Sequence, residues 1–178
     1  MNIVQLNVDT LPRYRHALAA LMIDVIQSNT TSAFQHSHVI QQQRDAERYF
    51  HSLRAPMARH ELMLWIAVCD SIVVGSVQLS ICQRPDGQML MHSSAQREGI
   101  GRKLMQVLEQ KAQSCQRGLL YLDVIAGSTA ENFYRAHGYH FLGKLPDYAF
   151  CGDGHPQPGA IYYKRLPTSS AENVVTSH

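Results

Sequence analysis

The run Leu119-Leu120-Tyr121-Leu122-Asp123-Val124-Ile125 constrains the fold more than any other segment. It is apolar almost without a break, and strands of that kind are usually buried on both faces, as in parallel sheets. Two helical segments flank it. From about Gly99, residues Leu104, Met105, Leu108, Ala112 and Cys115 recur along one side of a helix, and Gly118 ends that region. Ser128 opens the second helix, with Glu131 placed to complete a capping box, and Gly138 stops it. A buried strand between amphipathic helices belongs to a layered α/β arrangement.

The rest of the chain extends that arrangement. Leu18, Leu21, Met22, Val25 and Ile26 form the apolar face of a helix over Leu11–Asn29. A polar helical stretch follows from about Val39 to Arg59, with only Ala46, Tyr49, Phe50 and Leu53 to bury and Pro56 near a bend or end. Leu64, Ile66 and Val68 alternate in a strand over Leu62–Cys69. Asp70-Ser71 turns the chain, and Ile72–Cys82 returns as the hairpin partner. Arg84-Pro85-Asp86-Gly87 is a turn, and Gln88–His92 a very short apolar run. Tyr139–Lys144 and Ala160–Arg165 read as the last strands, joined by a Gly- and Pro-rich stretch long enough to suggest a binding loop. Pro167–His178 is a polar, flexible tail. The order α-α-β-β-β-α-β-α-β-β predicts one α/β domain over residues 1–166 with a mixed sheet.

Composition removes several classes. At 178 residues, 45% hydrophobic and 17% charged, the chain can bury a core without disulfide or metal staples. A net charge of +2 gives no bulk electrostatic reason to bind nucleic acid or an anionic membrane. No run approaches the roughly 20 apolar residues of a spanning helix. Met1-Asn2-Ile3-Val4-Gln5 lacks the basic start and apolar stretch of a secretory leader. Cys69, Cys82, Cys115 and Cys151 are scattered and read as free thiols of a reducing compartment, which places the protein in the cytoplasm. Cys69, Cys82 and Cys115 fall in apolar patterns and read as buried, inert thiols. His36 and His38, and His137 and His140, are the closest histidine pairs. Neither gives HExxH or a zinc-spaced cluster, so no metal is expected.

Candidate chemistry gathers at Gln96-Arg97-Glu98-Gly99-Ile100-Gly101-Arg102-Lys103, between a short strand and an amphipathic helix. Two glycines let backbone come close to a ligand. The first N–H groups of a helix have no internal partners, and the helix dipole makes them an anion site suited to pyrophosphate. Arg97, Arg102 and Lys103 add positive charge. The dinucleotide pattern GxGxxG fails at its third glycine. The P-loop pattern fails because Leu104 follows Lys103. A glycine-containing helix start without a ligand remains the plain alternative.

Gln-x-x-Gly-x-Gly after a short strand resembles the acetyl-CoA pyrophosphate loop of the GNAT family of N-acetyltransferases. The strand carrying Asp123 follows in the family's order. So does Ala130-Glu131-Asn132-Phe133-Tyr134-Arg135-Ala136-His137-Gly138-Tyr139, which matches the signature A-x-x-F-Y-x-x-x-G-[FY]. The resemblance covers roughly residues 3–166 and is nearest to the family's tabtoxin-resistance members. It extends through Gly143-Lys144-Leu145-Pro146-Asp147-Tyr148 and Ala160-Ile161-Tyr162-Tyr163-Lys164.

The resemblance implies a GNAT-type mixed, mostly antiparallel twisted sheet flanked by helices. It implies acetyl transfer from acetyl-CoA to the amine of a small molecule, such as an amino-acid-like toxin or antibiotic. Backbone from Gln96 through Glu98, Gly99, Ile100 and Gly101 to Lys103 would hold the pyrophosphate, and Leu90 and Met91 match the strand positions that pair with the pantetheine arm. Asn132 matches a CoA contact. Tyr134 matches the general acid to the leaving thiolate, a task that suits a phenol protonated at neutral pH. Read alone, Tyr134 is a packed aromatic on an amphipathic helix. Asp123, near a strand end, is a candidate to orient the amine or take its proton; its plain alternative is a carboxylate satisfied by helix N–H groups.

The sequence departs from the family pattern before the glycine loop, where about seven residues are absent by comparison. Between Asp86 and Glu98 there is no acidic residue, so the glutamate that relatives can use near the amine has no counterpart; His92 is a further candidate proton acceptor. Three readings of the gap stay open: a truncated strand, a neighbouring segment that slides in, or residues missing from the sequence as written. The last is favoured, because losing most of a central strand would leave core backbone unpaired. The rival functions are a CoA-binding sensor or structural module with little turnover, a nucleotide-phosphate binder, and acetylation of a peptide or protein N-terminus. A homodimer is open if Ala160–Arg165 lies at a sheet edge.

Overall fold

A computed structural model describes residues 1–27, 40, 42–81, 88–95, 98–150 and 154–167, with backbone alone for 88–95 and 98. The elements are β1 (Asn2–Leu6), α1 (Leu11–Gln27), α2 (Gln43–Ser52), α3 (Arg54–Ala58), β2 (Leu62–Cys69), β3 (Ile72–Ile81), β4 (Gln88–Ala95), α4 (Glu98–Ser114), β5 (Leu119–Ile125), α5 (Thr129–Ala136), β6 (His140–Phe150) and β7 (Pro156–Arg165). The strands form one sheet in the order β1-β2-β3-β4-β5-β7-β6. Every junction is antiparallel except β4–β5, which gives the mixed, mostly antiparallel sheet expected.

Helices cover the two faces unequally. On one face α4 and α5 pack Leu104, Leu108, Ala130 and Tyr134 onto Leu79, Leu120, Leu122, Val124 and Tyr162. On the other, α1, α2 and α3 pack Leu18, Met22, Phe50 and Met57 onto Leu64 and Ile66. Among the described residues, that second core reaches as far as Val73 of β3. Leu120, Leu122 and Val124 are therefore buried, while Leu119, Tyr121, Asp123 and Ile125 are only half-buried. The β5 run, expected to be buried on both faces, is closed on one and partly open on the other.

Several local readings are corrected. Asn2–Leu6 is a strand paired antiparallel to β2, and its mostly exposed residues give no strong sequence signal. The helix expected over 39–59 is two, meeting at Leu53, with Pro56 in the first turn of α3, where its missing N–H costs nothing. Helix α4 ends before Gly118, with Gln116 adopting a positive φ of 56°. β4 is not a stub but runs to Ala95, because Ser93, Ser94 and Ala95 find partners along β3 despite lacking apolar periodicity. The long loop expected between the last strands is largely strand, since β6 continues to Phe150 and β7 begins at Pro156. Ala160–Arg165 lies inside the sheet, between β5 and β6, so it offers no edge for a second subunit. Cys69 and Cys115 are free and only half-buried; Cys82 and Cys151 lie outside the described residues. Among the described residues, no helix is long and apolar enough to cross a membrane.

Leu108 is fully buried between α4 and the sheet. Leu108→Ala is expected to lower unfolding free energy by about 2–5 kcal/mol, read as a lower urea midpoint at unchanged slope.

Candidate active site

The parallel junction is short. Gln88, Met89 and Leu90 pair with Leu119, Leu120 and Tyr121, and there the pairing ends. Yet β4 stays paired with β3 as far as Ala95, and β5 stays paired with β7 as far as Ile125. Each strand keeps its outer neighbour while losing the other, so a wedge opens inside the sheet. The four residues of β5 beyond Tyr121, at about 3.3 Å each, make it roughly 13 Å long on that side. Alternate N–H and C=O groups of both strands face into it. Leu90 is the last paired residue of β4 and Met91 the first beyond, so the two positions matched to the pantetheine arm stand where the wedge begins.

Helix α4 starts just past the far end of β4. Its first residues, Glu98, Gly99, Ile100 and Gly101, carry N–H groups with no intrahelical acceptor. Gly99 is exposed, and a Cβ built there meets nothing within 4 Å, so its backbone is bare to solvent. Ile100 and Gly101 are buried, while Arg102 and Lys103 are exposed. Gln96 and Arg97 lie outside the described residues. Gln78 and Ser76, buried polar residues of β3, pair in register with His92 and Ser94 of β4. Gln78 accepts a hydrogen bond from the Tyr49 hydroxyl at 3.1 Å.

Helix α5 supplies Tyr134, which is 2% exposed and meets Tyr139 edge-on at 5.5 Å. Burial, and then the charge of Asp123, push its hydroxyl above the ordinary tyrosine value. The phenol is thus protonated at any working pH, and Asp123 lies near enough to act on it. Asn132 is exposed, and two residues of helix turn it about 200° from Tyr134, so the structure does not bring these two together. Asp123 has a partner on a different strand: Tyr148 of β6 donates its hydroxyl proton to Asp123 Oδ2. Sequence reasoning assigned Tyr148 no chemistry, although the Pro146-Asp147 pair before it is a bend signal.

Two polar networks fix α5 in place. Arg135 Nε donates to the Tyr162 hydroxyl at 2.9 Å, and Tyr162 donates to Glu131 Oε1 at 2.5 Å. Glu131 Oε2 accepts the Gly127 N–H, where a positive φ of 78° turns the chain from β5 into α5. On the far side, Lys164 Nζ donates to both Glu109 oxygens at 2.9 Å and to the His137 carbonyl at 2.8 Å. Among the described residues, no group of three or more His, Cys, Asp and Glu gathers as metal ligands.

The acetyltransferase (GNAT) domain profile matches residues 30–148, well over half the chain. A ribosomal-protein-alanine N-acetyltransferase from Brucella melitensis superposes with a TM-score of 0.72 at 22% identity, over 93% of this chain and 100% of that one. An aminoglycoside 6'-acetyltransferase type Ii gives 0.69 at 19% identity, over 94% and 99%. A ribosomal L7/L12 alpha-N-protein acetyltransferase in complex with coenzyme A gives 0.71 at 9% identity, over 92% and 93%.

The expected capping box is half-built. Ser128 is the N-cap residue of α5, but its hydroxyl is buried without a partner among the described residues, and Glu131 reaches Gly127 instead. Ser128→Ala is therefore expected to cost less than about 0.5 kcal/mol, below the usual loss of about 1 kcal/mol for a working N-cap. Burial raises the Glu131 carboxyl, but the bonds from Tyr162 and Gly127 outweigh it, and the net shift is downward from 4.5. Its stabilisation is complete above the unfolded value and lost as pH falls through the lower folded one. Acid unfolding curves of Glu131→Gln should show a shallower loss of stability below about pH 4.5.

Proposed function

The chain belongs to the GNAT family of acetyl-CoA-dependent N-acetyltransferases, and on that footing we propose that it acetylates the amine of a small, cationic molecule in the cytoplasm. The observation that carries the reading is the wedge between β4 and β5, with Tyr134 beside it and the bare start of α4 at its end.

The residues present fit acetyl-CoA. Unpaired backbone of β4 beyond Leu90 suits the amide-rich pantetheine arm, which would complete the broken ladder as an added strand does. The N–H groups of Glu98, Gly99, Ile100 and Gly101 suit the pyrophosphate, with Arg102 and Lys103 adding charge nearby. When bound, acetyl-CoA supplies the thioester whose carbonyl carbon the amine attacks. Asp123, on the partly open face of β5, attracts and orients the amine and takes its proton. Tyr134 donates from its hydroxyl to the thiolate as the C–S bond breaks. Holding both reactants along one wedge removes much of the entropic cost of their meeting.

A carboxylate with half-buried Tyr121 and Tyr163 on the same face of β5 and β7 suits a cation. That favours a charged small-molecule amine as the acceptor. The named neighbours act on ribosomal proteins in two cases and on an aminoglycoside in the third, so the acceptor panel includes both kinds.

Tyr134→Phe is expected to bind acetyl-CoA within a fewfold of wild type by titration calorimetry, while kcat falls about 10²–10⁴-fold. Thiol release would be followed against spermidine, kanamycin, lysine and a peptide beginning with alanine. Turnover with the peptide alone would transfer the assignment to a protein N-terminus. Tight acetyl-CoA binding without turnover would favour a sensor.

A further inference from the structure

We propose that Tyr148 is a positioning residue for acetyl transfer, reaching across β7 to hold the Asp123 carboxylate on the open face of the sheet; this rests on the role given to Asp123 above. In the sheet order β5-β7-β6, Tyr148 and Asp123 belong to strands separated by a third. Two strand spacings come to roughly 9.5 Å, more than neighbouring side chains ordinarily bridge. Two local departures make the contact.

The first is a bulge. Pairing jumps from Leu145 opposite Gly159 to Ala149 opposite Gln157, so Pro146, Asp147 and Tyr148 stand against Pro158 alone. Asp147 takes a positive φ of 51°, a strained state for a residue that is not glycine. Bulges of this kind re-aim a side chain. The second is Gly159. A Cβ there would stand 2.5 Å from Tyr148 Cγ and 2.8 Å from Cδ2, so the ring lies against β7 where no side chain is present. With the strand bent and the obstacle absent, the hydroxyl meets Asp123 Oδ2.

A carboxylate at the end of an aspartate turns freely about its last bond unless something fixes it. A donor on one oxygen sets that torsion and so the direction offered to an amine. A brace for the hairpin would use the same bond, but it would not depend on Asp123 being catalytic. The two are separable by kinetics.

The test compares wild type, Tyr148→Phe, Asp123→Asn and the double variant, with acetyl-CoA and the amine of the panel above that turns over fastest, after thermal melts confirm folding. Tyr148→Phe is expected to lower kcat/KM for the amine about 10-fold or more and leave KM for acetyl-CoA unchanged. The double variant is expected to be no worse than Asp123→Asn alone, because Tyr148 acts through that carboxylate. Gly159→Ala, which keeps both polar groups but displaces the ring, should reproduce the loss. Multiplying effects in the double variant, or unchanged amine kinetics in Tyr148→Phe, would overturn the proposal and leave the role of Asp123 standing. Unchanged kinetics in Asp123→Asn would overturn that role and this proposal with it.

Discussion

Three pairs of residues join β4 to β5, and the rest of the site depends on their being only three. Had the ladder continued, the sheet would be closed and no ligand could reach its middle. Because it stops, backbone polar groups inside a sheet face a gap, and such groups need partners. The gap does not close by collapse, since β3 holds β4 from Met89 to Ala95 and β7 holds β5 from Leu119 to Ile125. The site is thus a preformed slot between rigid elements, with α4 beginning at one end of it.

The unequal cover of β5 then divides labour between its faces. The closed face carries Leu120, Leu122 and Val124 under α4 and α5, and with them Tyr134. Lys164, Glu109 and the His137 carbonyl clamp the end of α5 to β7 and α4, while Glu131 and Tyr162 clamp its start. These partly buried ionic contacts contribute less to net stability than to fixing one position of the helix. The open face carries Asp123, where α1, α2 and α3 no longer reach.

What the sequence shows and hides follows from this. The amphipathic helices α4 and α5 and the hairpin of β2 and β3 are legible because one side of each is strongly apolar. The order of chemical pieces around Gly99 and Tyr134 is legible because it is local in the chain. β1 is not, since its burial comes from β2 rather than from a pattern of its own. The tail of β4, Ser93-Ser94-Ala95, is equally silent, because it is strand by virtue of β3. The reach of Tyr148 to Asp123 spans 25 positions and depends on a missing Cβ at Gly159, which no periodicity records. Before the glycine loop, Met89–Ala95 pairs with β3, so the sheet is continuous there among the described residues.

β4 supplies no acidic residue, since none occurs between Asp86 and Glu98. In the proposed mechanism Asp123 of β5 is the carboxylate for the amine, and its charge raises the Tyr134 hydroxyl further after burial has already done so. In the proposed mechanism that protonated phenol stabilises the developing thiolate by donating a hydrogen bond, and the proton of the attacking nitrogen goes to Asp123. The proposed donor and acceptor roles fall on different residues with different surroundings: Tyr134 is enclosed on α5, and Asp123 sits on the half-buried face of β5, bonded to the Tyr148 hydroxyl.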